Sequence, residues 1–132
     1  MACLRKAWNG FAERASDACR AALADFCADH AHWLDDYALF MVLDERYGGP
    51  WSRWPEALAR RDAAALDEVR AQSSHGLGFW RFVQWRFWVQ WQSVRDYARQ
   101  HGVQMVGDAP IFVAHHSADL WAHADEFLLD ER

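Results

Sequence analysis

Lysine is almost missing from this chain: Lys6 is the only one in 132 residues. The other positive charges are arginines, scattered among acids, and the formal net charge is −5. Phosphate backbones are held by clustered Lys and Arg, so nucleic acid is not an expected partner. Cysteine is also scarce. Cys3, Cys19 and Cys27 form no Cys-x-x-Cys pair and have no zinc-ligand spacing. An odd, unclustered set suits reduced thiols and a cytoplasmic location. No apolar run is long enough to span a bilayer, and Met1 to Lys6 lacks the apolar region of a signal peptide. No membrane partner is expected. There is no repeat, low-complexity tract or flexible linker.

Aromatic residues are abundant. Nine tryptophans are present, and Trp80, Trp85, Trp88 and Trp91 fall within twelve residues. With 52% hydrophobic and 25% charged residues, the chain is globular material. Its length suits one domain or part of a larger one.

Leu4 to His30 carries a near 3.6-residue apolar period and reads as one helix, or two with a break near Ser16-Asp17. Asp35 or Asp36 then reads as the acidic start of the next helix, which Gly48-Gly49-Pro50 stops. Trp51 to Pro55 is a loop with two indoles, followed by a short helix from Glu56 to Arg60. Asp62 opens a charged helix to about Gln72, and Ser73 to Gly76 reads as a break. Leu77 to His101 is the longest helix, apolar around most of its circumference in its first half. Gly102 occupies the expected left-handed position after its C-terminus. Val103 to Val106 then reads as a buried strand, which makes an α-to-β step of a parallel α/β fold. One strand makes no sheet, so 103–106 requires partners that this chain does not supply.

Gly107-Asp108 follows that strand, and two readings of Asp108 stay open. In an α/β barrel a carboxylate at the C-terminal end of a strand faces the substrate cleft. Asp also caps turns before proline, and Pro110 follows. His115, His116, Asp119 and His123 suggest either metal ligands or a histidine-rich polar loop. No residue elsewhere completes a ligand set, so neither metal nor cofactor is expected. Ser117 reads first as a helix N-cap. The four clustered tryptophans read as core packing or as a sugar-stacking face. Trp88, flanked by Arg81, Gln84, Gln92 and Arg95, is the best candidate for the second role. Asp35 and Asp36 are adjacent on a helix, do not face each other, and cannot form a glycosidase carboxylate pair by themselves.

Five segments, in order, resemble one family. They are His32-Trp33-Leu34-Asp35-Asp36-Tyr37-Ala38-Leu39-Phe40, Trp51-Ser52-Arg53-Trp54-Pro55, Phe82-Val83-Gln84-Trp85 with Trp91, Gly107-Asp108-Ala109-Pro110-Ile111-Phe112-Val113-Ala114, and Ser117-Ala118-Asp119-Leu120-Trp121-Ala122-His123. The family is the amylomaltases, 4-α-glucanotransferases of glycoside hydrolase family 77. The resemblance implies an α/β fold: a mostly helical fragment of a (β/α)8 barrel. Residues 1–76 would be a helical subdomain inserted in the barrel. Residues 77–132 would be a barrel helix, the third barrel strand near 103–106 and the start of its active-site loop.

The implied activity is retaining transfer of α-1,4-glucan segments between maltooligosaccharides. The implied partners are a maltooligosaccharide or linear α-1,4-glucan and the remainder of the barrel. The family's catalytic aspartate lies in an Arg-x-Asp-His-Phe segment that these residues do not contain, so no catalytic residue is expected in this span and the isolated chain is expected to be inactive. Asp108 is the implied substrate-binding residue, with His115, Ser117 and Asp119 in the active-site loop. His116 stands where the family usually has an acidic residue, and Ala124 replaces a common proline. The competing expectation is a non-catalytic helical interaction module.

Overall fold

A computed structural model of the chain describes residues 1–129. Seven α-helices follow one another: α1 Ala2–Arg14, α2 Asp17–Asp29, α3 Ala31–Tyr47, α4 Glu56–Ala59, α5 Ala63–Gln72, α6 Ser74–Gln100 and α7 Ala118–Ala122. Short 3-10 turns occupy Trp51–Arg53 and Ala124–Glu126.

Local chemistry explains several boundaries. The break after α1 falls where Ala15 turns extended and the Ser16 side chain accepts from the Cys19 amide. Gly48 and Gly49 both take positive φ after α3, which side-chain-bearing residues rarely adopt. The Asp62 carboxylate caps α5 by accepting from the Ala65 amide at 3.0 Å. Gly102, at φ +69°, ends α6 as expected.

Three expectations change. Asp35 and Asp36 do not begin a helix. α3 starts at Ala31, directly after α2, and the two carboxylates reach sideways instead. Asp35 pairs with Arg81 and Asp36 with Arg61, each at 2.7 Å. The break at Ser73 to Gly76 shrinks to Ser73 alone, since α6 begins at Ser74. Residues 103–106 form no strand, and no strand occurs among the described residues. A strand is held by ladder hydrogen bonds to a neighbour, and no described segment lies alongside. Val103 donates its amide to the Ala98 carbonyl at 2.9 Å, and Val106 is 94% exposed.

The core forms around α3 and the first half of α6. Ala38, Leu39, Phe40, Val42 and Leu43 of α3 pack with Leu77, Phe79 and Trp80 of α6, with Leu66 and Val69 of α5, and with Leu120 and Trp121 of α7. A smaller cluster joins Phe26, Leu34, Phe82 and Trp85, against which Trp8 and Phe11 of α1 lie. Gly78 is required where α1 crosses α6, because a Cβ there would stand 2.7 Å from the Trp8 ring. Beyond Trp85, α6 leaves this core. Phe87, Val94 and Tyr97 are exposed, as are Ile111 and Phe112 of the following segment.

Candidate functional site

The candidate residues lie on the segment that leaves α6 and returns to the helices at α7. From Gln104 to Ala114 it makes no hydrogen bond to another described residue. Asp108 lies in its middle, exposed, and its side chain caps nothing. The turn-cap reading of Asp108 therefore finds no supporting contact.

The return end is tied firmly. The Trp51 indole Nε1–H donates to the His115 carbonyl at 2.7 Å, and the two rings stack 5.7 Å apart at 12°. The Trp51 amide donates to His116 Nδ1 at 3.2 Å. A nitrogen that accepts carries no proton, so His116 Nε2 is the donor to Asp44 Oδ1 at 2.8 Å. The imidazole also lies 5.1 Å from the Phe40 ring. Next in the chain, Ser117 accepts from the Leu120 amide at 3.2 Å and caps α7, as its sequence context indicates.

α7 is anchored by Trp121, only 1% exposed, whose Nε1–H donates to the Leu58 carbonyl at 3.1 Å. The Arg61 guanidinium lies over this indole at 4.4 Å while bonding Asp36. Arg61 is held at φ 58°, a left-handed conformation that costs a non-glycine residue free energy. One residue thus ties α3, the α4–α5 turn and α7 together.

The structure divides the polar candidates. Asp119 and His123 line a cleft of about 140 Å³ between α7 and α3, with His32, Trp33, Asp36 and Tyr37 opposite. His115 and His116 face Trp51 and Asp44 instead, so the four residues of the metal reading are not brought together. Among the described residues no three His, Cys, Asp or Glu side chains are grouped as a metal ion requires. Burial raises the Tyr37 phenol above its ordinary pKa, and the neighbouring Gln84 side chain opposes this. Burial likewise raises the Cys27 thiol, with Arg81 lowering it and Asp35 raising it. Trp80 and Trp85 are core residues, whereas Trp88 keeps an exposed face beside His30, with ring centroids 5.0 Å apart.

The sequence reading missed the partnership of Trp51 and Asp44 with His115 and His116. The partners are 64 to 72 positions apart, beyond any local pattern.

A family model for 4-alpha-glucanotransferase matches residues 1–132, the whole chain. The chain belongs to glycoside hydrolase family 77. It is 45% identical over 129 residues to the 4-alpha-glucanotransferase of Thermus thermophilus, covering 97% of this chain and 26% of that protein. It is 42% identical over 108 residues to the enzyme of that name from Aquifex aeolicus, covering 82% of this chain and 22% of the relative. It is also 42% identical over 101 residues to the chloroplastic/amyloplastic 4-alpha-glucanotransferase of Solanum tuberosum, covering 76% of this chain and 18% of that one. The chain spans about a quarter of the length of the first two relatives. No helix among the described residues is long and apolar enough to cross a membrane.

Proposed function

We propose that this chain forms part of a 4-α-glucanotransferase that moves α-1,4-glucan segments between maltooligosaccharides by retention. The observation that carries this is the family match along all 132 residues. Retaining transfer uses two carboxyl groups about 5 Å apart on either side of the scissile bond. No such pair stands out among the site residues here, so the nucleophile and the acid/base are assigned outside this chain. The chain alone is inactive on this reading.

Within the enzyme, Asp108 contacts sugar hydroxyls of a maltooligosaccharide or linear α-1,4-glucan. His115, Ser117 and Asp119 belong to the loop that follows. Residues 103–106 become the third strand of a (β/α)8 barrel once neighbouring strands pair with them. The exposed side chains of Val103, Met105, Val106, Ile111 and Phe112, with the bare second half of α6, support burial against the remainder of that barrel. Residues 1–76 then act as the inserted helical subdomain and 77–132 as the barrel portion. α6 serves both, its first half buried among helices and its second half facing the sheet. A cytoplasmic location completes the proposal, supported by three free cysteines.

The test is a chimera in which this chain replaces the matching quarter of the Thermus thermophilus relative. The chimera disproportionates maltotriose into glucose and longer oligomers, and residues 1–132 alone do not. Asp108→Asn in the chimera lowers turnover roughly 10- to 100-fold, as expected for a lost charge-assisted hydrogen bond, with an unchanged melting temperature. A folded chimera without transfer activity refutes the assignment. Full turnover in folded Asp108→Asn refutes the role given to Asp108.

A further inference from the structure

We propose that His116, Asp44 and the Trp51 amide form a latch that positions the loop carrying Asp108. This rests on the reading of that loop as part of the glucan site.

The latch stands on three observations. Between Val103 and His115 the segment makes no hydrogen bond to another described residue, so its path is set where its ends are held. At the return end, α7 is fixed independently by the Ser117 cap and buried Trp121. What α7 does not set is the direction in which the chain leaves it toward Asp108. His116 sets that direction by using both ring nitrogens on different elements: Nδ1 accepts from Trp51 after α3, and Nε2 donates to Asp44 on α3. The Trp51 indole adds a bond to the preceding carbonyl, so two consecutive residues of the loop are held by one indole and one carboxylate.

The identity of residue 116 follows from its neighbour. An acid at 116, the usual family residue, would direct a second carboxylate at Asp44, and like charges in contact repel. An amide such as Gln retains a donor for Asp44 and an acceptor for Trp51, whereas Ala retains neither. Positions 44 and 116 are therefore coupled: a change of charge at one calls for a compensating change at the other.

The latch predicts a pattern that a purely structural role does not. In the 132-residue chain, His116→Asp or Asp44→Lys speeds hydrogen exchange at the Trp51 amide and at the Trp51 indole N–H, the two donors held by 115–116, roughly tenfold, the effect of one lost hydrogen bond. Exchange in α3 and in the first half of α6 stays as in the parent. The double variant Asp44→Lys/His116→Asp, which restores opposite charges, recovers most of the protection, and His116→Gln retains part of it. Nitrogen-15 spectra of His116 show an unprotonated Nδ1 and a protonated Nε2. In the chimera, turnover falls with each single variant and recovers in the double, while KM for maltotriose changes little.

Unchanged exchange in the single variants, or no recovery in the double, overturns the latch. So does the opposite ring tautomer. Opened loops with undiminished turnover overturn its positioning role. Exchange and tautomer are read without glucan, so an inactive parent chimera would count against the glucanotransferase reading and leave the latch standing.

Discussion

Trp121→Phe tests how α7 is held. Trp121 is 1% exposed, and its indole makes three distinguishable contacts. Its Nε1–H donates to the Leu58 carbonyl at 3.1 Å. Its face carries the Arg61 guanidinium at 4.4 Å. Its edge meets Trp54 and Phe40, each with centroids 5.9 Å away. Phenylalanine keeps an aromatic ring for the last two contacts and loses the donor. A lost hydrogen bond costs about 1 kcal/mol, and leaving the Leu58 carbonyl unpaired brings this nearer 1.5. The removed ring leaves a void on the order of 40 Å³, which at about 24 cal/mol per Å³ adds about 1 kcal/mol. Total destabilisation is about 2–3 kcal/mol. Urea denaturation at low micromolar concentration, followed by far-ultraviolet circular dichroism, measures it. The midpoint falls with an unchanged slope, since the surface exposed on unfolding is nearly the same. A change below 0.5 kcal/mol would show that α7 contributes little to the folded unit, and that Ser117 and His116 are attached to a mobile element.

Two further outcomes follow from burial and exposure. Burial holds the Cys27 thiol above its ordinary pKa, which lowers its thiolate fraction at pH 8, and it is less accessible than exposed Cys3 and Cys19. Iodoacetamide should modify it several-fold more slowly, with the difference vanishing in urea; equal rates in the folded chain would contradict its half-buried placement. The bare apolar side chains of α6 and 103–113 should make the isolated chain self-associate. Size-exclusion chromatography should show species that grow with concentration, and paired Val106→Ser and Phe112→Ser changes should reduce them; a sharp monomer at all concentrations would count against burial of this face by a partner.

Much of the local structure was legible in sequence because its causes are local. Asp62 and Ser117 cap helices through amides three residues on, and Gly102 supplies a backbone angle within its own residue. The helix at 77–101 was legible from its periodicity. Asp35 and Asp36 were misread because two acids near a helix start satisfy the capping pattern equally well. Their use as partners for Arg61 and Arg81 depends on the α4–α5 turn and on α6, 25 and 46 residues away. Residues 103–106 have the composition of a strand, but a strand is a property of a pair.

The candidate site divides in the same way. Sequence determined the family, the position of Asp108 after a strand-like run, and the cap at Ser117, since each is a short pattern of residue types. Tertiary structure alone decided that Trp51 and Asp44 meet His115 and His116, that Asp119 faces α3 across a cleft, and that Arg61 bridges to Trp121. These are contacts between segments far apart in the chain. They form because α3 and the first half of α6 bury their apolar faces on each other and carry the attached turns into place. Hydrophobic burial is non-directional, so composition announced a core. Which polar groups would meet around that core depended on how the helices packed.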